Sequence, residues 1–373
     1  MKSKIFKLIF VLLVTIAILL VLYAIRNLNY DYSGDKFLNK SGKLGIEEKL
    51  FELTDGSIIN YAEGPDNGPN LVLLHGQMVD WKDYRKVLPD LTKKFHVFAI
   101  EYYGHGKSSK NPDLYNIVDI GSDIALLIKE RIGPNTIISG HSSGALIAAY
   151  IAAEFPKNLS ALILEDGPFF ATEKGRAEKT FSYQEFKNIH NYLFEKPNMS
   201  YFEYSLERNQ MRMFFNKNGK DNWSRIVVEP AMAYFKKDPT KIPIIWYYPP
   251  ELGVNTLLEI AANMQDGTGN YDLRFGNAFY DFSFFKDISQ EDMLKRIKLP
   301  TCILHVAPSK ETAPSYYTED GLLISAMDEK DAKRVNELIY GSTLFEGFES
   351  MHDIHFDCPE EYINSIEKFL DTL

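Results

Sequence analysis

The sequence feature that most limits the fold is a strand that turns abruptly into a helix at residues 136–155, TIISGHSSGALIAAYIAAEF. Strand-forming residues precede the pentapeptide GHSSG at 140–144, and an apolar, alanine-rich helical pattern follows it directly. The two glycines indicate a very tight turn, because neighbouring backbone would clash with any side chain at these positions. The sequence therefore predicts a strand, a sharp turn with Ser142 at its crest, and a helix that begins beneath the serine.

This order is that of a nucleophile elbow, which holds a serine in strained backbone geometry and exposes its hydroxyl. The pattern GxSxG alone occurs by chance in many proteins, and its position between a strand and a helix is what favours a functional role. A serine hydroxyl is a poor nucleophile near neutral pH, so it needs a base within hydrogen-bond reach and a third group that orients the base. We expect Ser142 to be the nucleophile, with the base and the acid supplied by other parts of the chain.

Strand and helix patterns alternate on both sides of the elbow. A hairpin pattern surrounds Asp55-Gly56, and short apolar runs that are typical of buried strands follow it. The predicted strands after the hairpin lie at 71–74, 95–100, 136–139, 162–166, 300–306 and 343–345, and the predicted helices at 115–132, 331–338 and 359–370. This alternation predicts an α/β fold with a mostly parallel sheet that is flanked by helices.

Four motifs in a fixed order resemble those of the α/β-hydrolase superfamily. They are His75-Gly76 after a strand, the ExxGxGxS stretch at 101–108, GxSxG at 140–144 and a late segment around His352. The resemblance covers about residues 48–167 and 296–373. It implies the α/β-hydrolase fold, with the chemistry at the carboxyl ends of the strands, where the general rule for open α/β sheets also places it.

The resemblance implies that His352 is the base, because it follows the last predicted strand and matches the late histidine of the family. Met351 departs from the pattern, since the family usually has glycine just before this histidine. His355 is the rival base, and its alternative role is packing beneath the loop. We expect His75 to support the oxyanion loop and His141 to support the elbow.

Two backbone N–H groups are expected to stabilise the oxyanion that forms during acyl transfer. By resemblance one belongs to Ser143, at the start of the helix, and the other to Gln77, in the loop after His75-Gly76. Met78 is the alternative to Gln77. Loss of one such donor typically lowers the rate about 100-fold or more.

The acid of the triad does not stand where the family usually has it. The strand at 300–306 is followed by Ala307-Pro308-Ser309-Lys310, without an aspartate. A known variation of the superfamily places the acid at the end of the preceding strand, which here is Asp166. Asp320 is the second candidate, with Glu311 behind it, and the alternative role of Asp166 is a helix N-cap.

A long insertion separates the two halves of the predicted hydrolase core, which comprise residues 47–167 and 296–373. The insertion, 168–295, has helix-like stretches and is rich in aromatic residues such as Trp223 and Trp246. In the resembled superfamily an insertion at this point forms a lid, so a large helical lid is expected. Each aromatic residue is expected in the core of the lid itself, and together they favour a pocket for an apolar substrate.

The N-terminal residues 1–26 predict a transmembrane anchor. They contain an uncharged apolar run at 8–25, which is longer than most signal-peptide cores and lacks a convincing cleavage site. Three lysines precede this run and one arginine follows it, so the N-terminus is expected in the cytoplasm and the rest of the chain outside. Residues 27–46 have no apolar period and predict a tether.

Composition excludes several kinds of partner. A formal net charge of −10 argues against nucleic acid, which requires a basic surface. Cys302 is expected as a small buried apolar residue, and a disulfide to Cys358 is the alternative. Neither cysteine has metal-ligand spacing, and neither HExxH nor CxxC occurs in the sequence, so we expect no metal and no cofactor.

These observations predict a membrane-anchored serine hydrolase that acts through an acyl-enzyme on an ester-like or other acyl substrate with an apolar portion. Serine at the elbow argues against the haloalkane dehalogenases and epoxide hydrolases of the superfamily, which use a carboxylate. Peptidases, acyltransferases, thioesterases and carbon–carbon hydrolases share the same constellation. A non-catalytic ligand sensor on this fold is the main alternative, favoured by the displaced acid and by Met351, and a membrane scaffold is the third.

Overall fold

The computed structural model describes residues 2–373 apart from positions 217, 240, 242, 265–269 and 309–314. Within the described residues, strands form one eight-stranded sheet. The strands are β1 Glu47–Glu52, β2 Ile58–Glu63, β3 Asn70–Leu74, β4 His96–Glu101, β5 Thr136–His141, β6 Leu159–Glu165, β7 Thr301–Val306 and β8 Thr343–Phe348. Their spatial order is β1-β2-β4-β3-β5-β6-β7-β8, and all pairs from β4 to β8 are parallel. The predicted mostly parallel sheet is confirmed.

The helices of the described residues alternate with these strands or interrupt them in one long insertion. In chain order they are α1 Lys2–Leu28, α2 Asp35–Ser41, α3 Leu88–Leu91, α4 Ile117–Leu127, α5 Ser143–Glu154, α6 Phe181–Glu195, α7 Tyr201–Arg208, α8 Arg212–Phe215, α9 Glu229–Phe235, α10 Val254–Asn263, α11 Leu273–Tyr280, α12 Gln290–Arg296, α13 Glu329–Leu338, α14 Ile354–Asp357 and α15 Pro359–Leu370. The helix predicted at 115–132 is α4 followed by one π-helical turn, Ile128–Ile132.

The centre of the sheet is fully buried. Leu71, Val72, Leu73 and Leu74 of β3 have no exposed surface, and neither do most side chains of α5. Burying an aliphatic side chain completely stabilises the fold by roughly 1.5–3 kcal/mol. The apolar runs therefore fix these strands between two layers, and every loop at their carboxyl ends starts from a rigid position.

The chain divides into two compact units. The larger unit, 37–201 and 263–373, contains the sheet, and the smaller unit combines 1–36 with 202–262. The smaller unit has an apolar core of its own, which includes Trp223, as expected for an aromatic residue of the insertion. Only the middle of the predicted lid thus separates from the larger unit, while its flanks 168–201 and 263–295 belong with the sheet.

The segment predicted as a tether contains a helix, α2. The Ser33 hydroxyl and the Asp31 carboxylate accept hydrogen bonds from the first N–H groups of this helix, at 3.2 and 3.0 Å. Such local caps start a helix without an apolar period, so the pattern at 27–46 did not indicate it.

Both cysteines are free thiols, and Cys302 is buried as expected. The alternative of a disulfide with Cys358 is therefore wrong. Within the described part of the chain, Lys4–Leu28 is the one helix long and apolar enough to cross a membrane, as judged by length and composition.

Candidate active site

The turn between β5 and α5 has the tight geometry that its glycines indicate. Ser142 adopts φ 54° and ψ −122°, a strained conformation for a residue with a side chain. A Cβ atom on Gly140 would lie 2.2 Å from the Gly144 carbonyl oxygen, and a Cβ atom on Gly144 would lie 2.2 Å from the Leu74 carbonyl oxygen. Both glycines are thus required because backbone occupies the space that a side chain would need.

The loops after β6 and β8 bring Asp166 and His352 together. Asp166 is buried, with φ 39°, and its Oδ2 lies 2.7 Å from His352 Nδ1. The His352 ring packs on His141, the neighbour of Ser142, with 4.6 Å between ring centroids. The imidazole therefore lies beside the elbow, with the carboxylate on its Nδ1 side. This is the arrangement that orients a general base toward a serine.

A second histidine contacts Asp166. His305, buried in β7, approaches Asp166 Oδ1 with its Nδ1 at 3.2 Å, so both carboxylate oxygens have a partner. Sequence reasoning did not assign His305 a role. The signal was its position inside the apolar run PTCILHV, because a polar ring in a buried strand needs a hydrogen-bond partner.

Asp166 and His352 shift each other's pKa in opposite directions. Burial alone would lower the pKa of His352, but the hydrogen bond and charge of Asp166 outweigh burial and raise the pKa to about 9. Burial would raise the pKa of the Asp166 carboxyl, but hydrogen bonds from His305 and His352 outweigh it and lower that pKa. The ring is consequently a strong base once it has lost its proton, and its neutral fraction grows as the pH rises toward 9.

The rival base, His355, is occupied elsewhere. It is buried, its Nδ1 lies 2.9 Å from Glu165 Oε1, and its Nε2 lies 3.2 Å from Asp83 Oδ2. Burial would lower the pKa of this imidazole, but the two carboxylates outweigh it and raise the pKa well above its ordinary value. His355 is therefore a charged link between two buried carboxylates, with neither ring nitrogen available to Ser142.

The other acid candidates are placed differently. Asp320 is exposed, and its Oδ1 accepts a hydrogen bond from the Thr318 hydroxyl at 2.6 Å. Glu311 lies outside the described residues. Asp166 is the candidate that the structure brings into contact with His352.

His141 and His75 are both buried, and both rings are neutral near pH 7. Burial lowers the pKa of His141 to about 3 and also lowers that of His75. The His75 ring stacks on Tyr102 at 4.6 Å, in the loop region expected for it. In the described part of the chain, His141, His352 and Asp353 form a group whose ligand atoms lie within 4.8 Å of one another. Since His352 is the predicted base, a metal bound to this group would occupy that base.

The loop after β3 lies directly against the elbow. A Cβ atom on Gly76 would lie 3.0 Å from His141 Nδ1 and 3.2 Å from Ser142 Cβ. Among the hydrogen bonds of the described backbone, the N–H groups of Gln77 and Ser143 donate to no carbonyl. Their role as donors to a developing oxyanion stays a prediction.

Three side chains that sequence reasoning missed fix this loop and the start of α5. Tyr271 Oη donates to Gln77 Oε1 at 2.8 Å, and Asn263 Nδ2 donates to the Met78 carbonyl at 2.8 Å. The Tyr102 hydroxyl pairs with Ser143 Oγ at 2.8 Å. These contacts join residues far apart in sequence, and no local pattern indicates them.

The sequence model of the α/β hydrolase fold family matches residues 69–309. The chain belongs to this family. It is an α/β-hydrolase enzyme, as the names of its relatives also indicate.

Sequence matches to individual proteins cover a smaller part of the chain. A human serine hydrolase-like protein is 29% identical over 141 residues, which cover 37% of this chain and 70% of that protein. A pimeloyl-[acyl-carrier protein] methyl ester esterase of Vibrio campbellii is 32% identical over 110 residues, 29% of this chain and 41% of the esterase. The chain thus spans less than half of that esterase.

One solved structure matches along the whole chain. It is a membrane phospholipase A described as a bacterial virulence factor, with a TM-score of 0.57 and 20% identity, covering 100% of this chain and 99% of that one. At this identity the likeness shows the fold alone.

Proposed function

We propose that this α/β hydrolase is a membrane-anchored serine hydrolase that cleaves ester-like or other acyl substrates with an apolar portion through an acyl-enzyme on Ser142. The observation that carries the proposal is the 2.7 Å contact between Asp166 Oδ2 and His352 Nδ1, on a ring that packs beside the elbow. With its Nδ1 proton held by the carboxylate, the ring presents Nε2 as the atom that accepts the serine proton.

The reaction follows from these positions. As Ser142 Oγ attacks the acyl carbon, His352 takes the hydroxyl proton and the N–H groups of Gln77 and Ser143 hold the oxyanion. The imidazolium then gives its proton to the leaving alcohol, and the acyl group stays on the serine. Water attacks this ester with His352 again as base, which releases the acid and restores Ser142. Asp166 keeps its negative charge throughout and stabilises the imidazolium.

Membrane attachment and the lid are parts of the same proposal. The uncharged run at 8–25 lies within the apolar helix Lys4–Leu28, and the lysines before it favour a cytoplasmic N-terminus with the hydrolase outside. The insertion 168–295 is proposed to act as the lid that the family resemblance implies. The name of one relative, a methyl ester esterase, supports an ester substrate.

Two observations support a catalytic role over the alternative of a non-catalytic sensor. The acid is displaced along the chain, but Asp166 reaches the imidazole. Met351 is exposed, so its side chain does not compete with His352 for space in the interior.

A fluorophosphonate probe on the full chain in detergent micelles tests the proposal. We expect covalent labelling that is abolished in Ser142→Ala, together with hydrolysis of p-nitrophenyl esters that increases from the acetate to longer acyl chains. The matched control is Ser143→Ala, which removes a neighbouring hydroxyl but keeps the backbone N–H. Folded protein that takes up no probe, or Ser142→Ala protein that labels as strongly as the wild type, would refute the nucleophile.

A further inference from the structure

The loop at 246–253, with the sequence WYYPPELG, is fastened to the end of α1 within the smaller unit. Asn27 Nδ2 donates to the Trp246 carbonyl at 2.9 Å, and Tyr23 Oη donates to the Tyr247 carbonyl at 3.3 Å. Arg26 forms an ion pair with Glu251. Positions 23, 26 and 27 share one face of a helix, so the loop is held along the last turns of α1.

The depth at which the loop would lie relative to a membrane follows from the length of α1. A bilayer core of about 30 Å needs about 20 helical residues. The uncharged run begins at Leu8, so its far boundary falls close to Arg26 and Asn27, the residues that hold the loop. If α1 crosses a bilayer, as the proposed function requires, the loop lies where hydrocarbon gives way to headgroups.

The side chains of the loop suit that position. Trp246 is 39% exposed, Tyr247 is 40% exposed and Leu252 is 48% exposed, although all three are large and apolar. The Trp246 and Tyr247 rings meet edge to face with centroids 5.4 Å apart. Tryptophan and tyrosine concentrate at membrane interfaces, because their rings are apolar and their N–H or O–H groups reach water.

The backbone of the loop directs these side chains outward. The carbonyls of Trp246 and Tyr247 are bound to α1, and Pro249 and Pro250 fix φ in the chain that follows. Because the loop is already held at the end of the apolar span, its backbone does not need to become more ordered when it contacts the lipid. This continuity with the span favours the bilayer as the occupant over a second protein chain.

We propose that the loop 246–253 is a membrane-contact surface, in which Trp246, Tyr247 and Leu252 enter the boundary between headgroups and acyl chains of the bilayer that α1 crosses. The loop then attaches the smaller unit to the lipid at a second place beside the span. The proposal rests on the membrane anchor of the proposed function but not on the chemistry at Ser142.

Tryptophan fluorescence of the full chain in vesicles of phosphatidylcholine and phosphatidylglycerol tests this proposal. Trp81 and Trp223 are 1% and 2% exposed, so the signal lost in Trp246→Phe reports the loop. We expect lipids brominated near the headgroup to quench that signal at least twofold more than lipids brominated deep in the acyl chains, and iodide in the water to quench it weakly. Strong quenching by iodide with no effect of the bromolipids would overturn the proposal, as would protection from both quenchers, which indicates a protein partner.

Two controls separate this proposal from the anchor. Flotation is measured on the same vesicles: a chain that does not float refutes the anchor, whereas a chain that floats without bromolipid quenching refutes the membrane-contact surface alone. Tyr234, 38% exposed in the same unit, supplies the matched position, as Tyr234→Trp in the Trp246→Phe background. We expect this probe to respond to iodide, and equal bromolipid quenching there would overturn the assignment to the loop.

Discussion

The exchange Asp166→Asn tests the candidate site most directly, because it keeps the shape of the side chain and removes its charge. Asp166 binds two histidines, His352 at 2.7 Å and His305 at 3.2 Å. If the amide oxygen keeps the bond to His305, the amide NH2 group faces His352 Nδ1 and donates to it. The proton of the neutral ring then lies on Nε2, where it cannot accept the proton of Ser142.

Two effects of different size follow from this geometry. The wrong tautomer should lower kcat by about four orders of magnitude, the loss that this exchange produces in serine proteases. Separately, the carboxylate holds the pKa of His352 at about 9 against burial, which acts in the opposite direction. Without that charge, the pKa should fall toward or below the ordinary histidine value of 6.5, a downward shift of about 2 pH units or more.

The assay is the pH dependence of kcat/KM for a soluble p-nitrophenyl ester, measured for both proteins with circular dichroism as the test of folding. Wild-type kcat/KM should rise with pH and level off near pH 9, and the residual activity of Asp166→Asn should reach its plateau at lower pH. Asp320→Asn is the matched control and should retain wild-type activity, since Asp320 is exposed and bonds to Thr318. If kcat/KM of Asp166→Asn lies within tenfold of the wild-type value and still levels off near pH 9, the assignment of Asp166 as the acid is refuted. Loss of activity in Asp320→Asn would assign the role of the acid to Asp320.

Two further predictions concern stability. Gly144→Ala should destabilise the fold by about 2 kcal/mol or more, because its Cβ would lie 2.2 Å from the backbone oxygen of Leu74. The control Gly42→Ala meets nothing within 4 Å and should change the free energy of unfolding little. Denaturant titration of both variants tests this prediction, and equal stability of the two would contradict it. Burial, then the charge of Asp80, raises the pKa of Glu101 from 4.5 to about 7, so the folded state holds a proton that the unfolded state releases. Stability should therefore be full below pH 4.5 and decrease by about 3 kcal/mol as the pH rises to 7, at 1.36 kcal/mol per pH unit, and Glu101→Gln should remove most of that decrease in unfolding curves recorded across this range.

The parts of the molecule that the sequence predicts are those set by local pattern. Apolar runs located the strands because a strand covered on both faces must be apolar throughout, and the glycines located the elbow because the turn excludes side chains. The contacts of Tyr271 with Gln77 and of Asn263 with Met78 were missed, since the partners are 194 and 185 residues apart and depend on how the insertion folds back. The helix α2 was missed for a different reason, because its start depends on two side-chain caps.

The choice between Asp166 and Asp320 shows where sequence reasoning reaches its limit and what the sheet adds. Strands β6 and β7 are parallel neighbours, and Asp166 N–H donates to the Leu304 carbonyl at 2.9 Å, so the ends of the two strands lie side by side. Neighbouring strands are about 4.8 Å apart, a distance that one carboxylate side chain and the positive φ of Asp166 can span. An acid at the end of β6 can therefore reach the same imidazole as one at the end of β7. Since His305 of β7 contacts the other oxygen of Asp166, the strand where the family usually has the acid instead supplies a hydrogen-bond partner for Asp166.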